Sequence, residues 1–117
     1  MTVKSLLIDT LDTFGYPVLL HGSIAPDEPY PQTFITFRSI SSDTTSFDND
    51  DLVTTWQYNI HIYSRNPSII SQLSVDVRSA LKNAGFIPQG RGYDAISDEP
   101  EYIGWTYDFY YLETEGL

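Results

Sequence analysis

The stretch Leu52-Val53-Thr54-Thr55-Trp56-Gln57-Tyr58-Asn59-Ile60-His61-Ile62-Tyr63 decides the fold. Leu52, Thr54, Trp56, Tyr58, Ile60 and Ile62 alternate with Val53, Thr55, Gln57, Asn59, His61 and Tyr63. Successive side chains of a strand point to opposite faces, so the pattern predicts one long strand with an apolar face and a mixed face.

Reading toward the C-terminus, Asn66-Pro67 supplies a helix N-cap followed by proline at the first helical position. Ile69, Ile70, Leu73, Val77, Ala80, Leu81 and Ala84 then form one stripe, ended by Gly85. Phe86 to Ile96 reads as a strand with an irregularity at Gly90-Arg91-Gly92. Tyr102 to Leu112 alternates again, with Ile103, Trp105, Tyr107, Phe109 and Tyr111 on one side.

Toward the N-terminus, Ser41 to Asp51 is polar apart from Phe47 and reads as a loop, expected to be mobile in a free subunit and ordered in an assembly. Thr33 to Ile40 is β-branched and aromatic, a strand. Gly22 to Pro31 reads as a loop, and Pro17 to His21 as a short buried strand. Val3, Leu6, Leu7, Leu11 and Phe14 share a helical face before Gly15, which predicts a helix over 3–14. The expected architecture is α+β, in the order α-β-β-β-α-β-β. A mostly antiparallel twisted sheet carries two helices on one face, in a single domain over 1–117.

Composition narrows the function. Aromatics make up 15% and hydrophobics 41% of the 117 residues, enough for one real core. Sixteen acidic residues against six basic ones give a net charge of −10. Lys4, Arg38, Arg65, Arg78, Lys82 and Arg91 are scattered, which argues against tight binding of nucleic acid or anionic lipid. Without cysteine there is no disulfide framework and no thiolate chemistry. The N-terminus is amphipathic and broken by Asp9 and Asp12, unlike a signal peptide, and no apolar run suits a membrane helix. Production in a cytoplasm fits these features.

No constellation carries catalysis. His21 and His61 lack partners in the sequence, so structural roles are expected of both in preference to metal or triad roles. Asp48-Asn49-Asp50-Asp51 is rich in oxygen ligands but lacks the glycine and glutamate of an EF-hand. Gly90-Arg91-Gly92 lacks the lysine and following helix of a phosphate loop. The expectation is a protein without enzymatic activity, cofactor or metal.

Two features suit contact with other chains. Aromatic and apolar residues occupy both faces of the last strand, with Tyr102, Tyr110 and Leu112 opposite the core side. The outer face of the second helix carries Ser68, Ser71, Val75 and Ser79 where Lys and Glu would be usual. Phe47 adds a third candidate within its polar loop. Cover by the chain's own loops, and a merely serine-rich surface, are the plainer readings.

The order of these segments resembles the tail-terminator and tail-completion (head-tail joining) proteins of long-tailed bacteriophages. The resemblance rests on a short leading helix and the Pro-rich loop Asp27-Glu28-Pro29-Tyr30-Pro31, followed by the aromatic strand Thr33-Phe34-Ile35-Thr36-Phe37. It continues through the long strand Trp56 to Ser64, the helix end Leu81-Lys82-Asn83-Ala84-Gly85-Phe86, and the final Trp105 to Tyr111. It implies a virion structural protein, assembled in the host bacterial cytoplasm, that forms a hexameric ring. Such a ring caps the tail tube, binds the head connector or stopper protein, and lets DNA through without specific binding. Asp43, Asp48, Asp50 and Asp51 are then candidates for an acidic lumen. The alternatives are another neck or head-completion protein, or a small-ligand-binding or regulatory α+β domain.

Overall fold

The computed structural model describes residues 2–23, 29–46, 52–97 and 99–115. The elements follow the expected order: α1 (Val3–Asp12), β1 (Val18–Leu20), β2 (Thr33–Ser46), β3 (Leu52–Ser64), α2 (Pro67–Asn83), β4 (Ile87–Ala95) and β5 (Ile103–Glu115). One five-stranded sheet has the order β1-β2-β3-β5-β4. Every neighbouring pair is antiparallel except β1 with β2. The long alternating strand is flanked by β2 and β5, and α2 carries the chain over β5 to the far edge.

Local chemistry fixes the helices. Thr2 caps α1 by accepting from the Ser5 amide at 3.0 Å, and Asn66 caps α2 by accepting from the Ser68 amide at 2.9 Å. The α2 stripe buries Ile70, Leu73, Val77 and Leu81, while α1 buries Val3, Leu7 and Leu11. Both helices pack with Ile35 and Phe37 of β2, Tyr58, Ile60 and Ile62 of β3, and Tyr107 and Phe109 of β5. The Tyr107 hydroxyl, carried deep into this core, donates to the Ser74 carbonyl of α2 at 3.0 Å. Burial raises its pKa.

The strands outrun the helices. At ~3.3 Å per residue the 13 residues of β3 extend about 40 Å, whereas the 17 of α2 at ~1.5 Å extend about 25 Å. Burial stops accordingly at Phe37, Tyr58 and Phe109. Beyond them Ser39–Ser46, Leu52–Gln57 and Tyr110–Glu115 continue as a three-stranded arm, and the molecule measures 53 × 28 × 22 Å. A bulge between Ser39 and Ser41 marks the base of the arm.

The arm corrects one expectation. Ser41 to Ser46 is strand, paired with Gln57 to Leu52, and not loop. Cross-strand hydroxyl and amide contacts hold it, Thr44 to Thr54 at 3.1 Å and Ser41 to Gln57 at 3.2 Å. The rest of that segment, with Phe47, Asp48, Asp50 and Asp51, lies outside the described residues.

Candidate functional site: the uncovered face of the sheet

With both helices on one side, the even-numbered residues of β5 and the odd-numbered residues of β3 line the other. Register brings Asn59 beside Asp108, His61 beside Thr106, and Tyr63 beside Gly104. Phe34, Thr36 and Arg38 of β2 lie across from Tyr63, His61 and Asn59.

A hydrogen-bonded chain runs over this face. Asn59 Nδ2 donates to Asp108 Oδ1 at 2.7 Å and to Thr106 Oγ1 at 3.0 Å. A carboxylate only accepts, so the Asn59 amide must point its NH2 there and present Oδ1 to His61 Nε2, with which it bonds. Nε2 therefore carries the imidazole proton, and Nδ1 accepts from the Tyr63 hydroxyl at 2.9 Å. His21 lies against His61, its ring tilted by 31°, and bonds Thr36 Oγ1 through Nδ1 at 3.3 Å. Burial, then His21, then Arg38 lower the His61 pKa to about 4, against the opposing pull of Asp108. The ring is neutral near pH 7 with both nitrogens engaged, a poor state for a metal ligand or a general base. Among the described residues no group of three or more His, Asp or Glu side chains converges on a metal position.

At one end of this chain lies a cleft of about 310 Å³, lined by His21, Tyr30, Phe34, Thr36, His61 and Tyr63 together with Ile96 and Ser97. Its apolar floor is a second cluster of Phe34, Tyr63 and Tyr102, packed edge-on with Tyr30. Here another expectation is corrected. Tyr102 is only 7% exposed, and its hydroxyl donates to the carbonyls of Tyr30 and Pro31, so the chain covers this ring itself.

The remaining candidates stay on the surface. Leu112 is exposed and Tyr110 half-buried, on the uncovered face, joined there by exposed Ile87 and Tyr93 of β4. On α2, Ser71, Val75 and Ser79 are exposed, with Val75 at 57%. Ser71 turns its hydroxyl back onto the Pro67 carbonyl at 3.2 Å. Asp43 is exposed on the arm, on the same face as Thr55 and Leu112.

Gly90-Arg91-Gly92 is a β4 irregularity with both glycines at positive φ. Its carbonyls accept from this chain's own side chains, Gly90 from Arg78 Nε at 3.1 Å and Arg91 from Trp105 Nε1 at 3.0 Å. The histidine network was missed in sequence because its members sit on three strands and in the turn after β1. The available signal was polar residues of matching parity: Asn59, His61 and Tyr63 against Thr106 and Asp108.

No helix among the described residues is long and apolar enough to cross a membrane. Comparison of the sequence with protein-family models and with curated proteins finds no match.

Proposed function

We propose that this chain is a structural subunit of a long-tailed bacteriophage, a tail-terminator or tail-completion protein without catalytic activity. Copies assemble in the host cytoplasm into a hexameric ring that caps the tail tube, joins it to the head connector in the neck of the virion, and lets DNA pass. One observation carries this reading: beyond Trp56 and Tyr111, which still pack on the core, a three-stranded arm runs on past the helical layer. A protein working alone gains little from about six residues per strand held outside its core. The acid excess, −10 over the chain, fits a surface along which a polyanion slides without adhering. Asp43, exposed on the arm, is our candidate for such a lumen among the described residues.

The test is tube growth. Tail-tube protein polymerised with this chain present should stop elongating, and the chain should sediment with the tubes at a few copies per tube. Tubes that lengthen unchanged, with the chain left in solution, would contradict the proposal.

A second reading, a small-ligand-binding domain, is favoured by the cleft, whose volume and aromatic lining with a few polar groups suit a small molecule. Perturbation of the His21 and His61 ring resonances by a small-molecule library, with no oligomer formed, would favour it over the ring.

A further inference from the structure

The arm has two open edges. β1 pairs with β2 only along Ile35–Phe37, and β4 pairs with β5 only between Gly104 and Tyr110. Along Ser39–Ser46 of β2 and Tyr111–Glu115 of β5, alternate N–H and C=O groups point away from the sheet, with no backbone partner among the described residues. Proteins that stay monomeric blunt such edges with charged side chains, lysine above all, with proline or with a bulge. Neither segment contains Lys or Pro, the charged residues are Asp43, Glu113 and Glu115 alone, and the β2 bulge at Ser39–Ser41 leaves Ser42–Ser46 regular.

We propose that the β2 edge Ser39–Ser46 of one subunit pairs with the β5 edge Tyr111–Glu115 of a second copy, joining the arms into one continuous sheet. The proposal rests on the homo-oligomer reading above and names its contact. Three observations choose a second copy as the occupant. First, each chain carries both halves of the contact, one on each side of the arm. Second, β2 and β5 are each antiparallel to β3 and so run in the same direction. Rotation about an axis along the strands therefore makes a parallel pair at every junction, and a closed ring leaves no arm edge exposed. A foreign strand would cover only one edge. Third, Asp43 projects to the uncovered face with Leu112, whereas Glu113 projects to the helical face, where it accepts from Trp56 Nε1 at 3.0 Å. Joining the edges thus places no carboxylate of the described arm directly against another.

The chain has no cysteine, so disulfides report the contact directly. Within one chain Asp43 and Leu112 are separated by β3, as are Thr45 and Thr114. Two strand spacings come to roughly 9.6 Å, beyond the ~7 Å reach of a disulfide, so any bridge must join two chains. Variants carrying Asp43→Cys or Thr45→Cys together with Leu112→Cys or Thr114→Cys, in all four combinations, are oxidised in the assembled state. At least one should give a ladder of covalent multimers ending in a closed ring, while each single-cysteine variant stays uncrosslinked. Light scattering on the reduced variants reports assembly separately. Oligomers that form in all four without a ladder would overturn the edge pairing and leave the ring reading standing. Dimers from a single cysteine would overturn the head-to-tail arrangement. Wild-type protein that stays monomeric at every concentration, alone and with tube protein, would overturn both.

Discussion

The imidazoles of His21 and His61, from the edge strand β1 side and the central strand β3, lie with ring centroids 4.7 Å apart. Protonating His61 is opposed by burial first, then by the neighbouring His21 ring and by Arg38. The His61 pKa is about 4 in the folded chain against an ordinary 6.5. A base with a lowered folded pKa leaves the extra proton to the unfolded state. Its stabilising contribution is therefore complete above about pH 6.5 and is lost as pH falls toward 4. The ring is half-buried, and screening leaves roughly 1–2 kcal/mol. Denaturant unfolding at pH 7.5 and pH 4.5 should show wild type losing about that much more than His61→Gln across the interval. Equal pH dependence of the two would contradict this account.

Gly92 is the backbone position least open to change. Its φ is +96°, and a Cβ there would meet the Trp105 indole and come within 2.6 Å of the Thr106 carbonyl oxygen. Backbone cannot yield as a flexible side chain does, and the left-handed conformation adds strain. Gly92→Ala should cost roughly 2–3 kcal/mol and shift Trp105 emission as the indole leaves the Arg91 carbonyl. Wild-type stability in the variant would show that the bulge relaxes without cost.

Tyr102→Phe removes one hydroxyl and leaves the ring in its cluster. Both acceptors, the carbonyls of Tyr30 and Pro31, would lose a donor. A loss of about 1 kcal/mol in unfolding is expected, together with faster proteolysis near residues 29–31. Unchanged proteolysis would mean that the ring alone holds that segment.

Val75→Lys tests the outer face of α2. The exposed site should tolerate lysine within about 0.5 kcal/mol, while burial of the ammonium at a subunit or tube contact would weaken assembly. Full assembly by a normally stable variant would leave Val75 as plain surface.

Sequence reading succeeded where one face of an element is buried and failed where neither is. Alternation over Leu52 to Tyr63 and over Tyr102 to Leu112 is visible because Ile60, Ile62, Tyr107 and Phe109 must enter a core while their neighbours stay out. Ser41 to Thr45 is strand with every side chain exposed, so no apolar period marks it, and only pairing with β3 makes it a strand. Tyr102 alternates as an outward residue should, yet Tyr30 and Pro31, brought over it by the loop before β2, cover it. The histidine network depends on register between strands, which turn geometry and packing set and local composition does not.

Whether this chain closes a phage tail tube as a ring is decided by electron microscopy of the protein mixed with tubes of a phage tail-tube protein. The prediction is a single ring of six copies seated on one end of each tube, with the arms running along the tube axis. Tubes with bare ends at both termini, and no ring in the surrounding field at saturating protein, would contradict it.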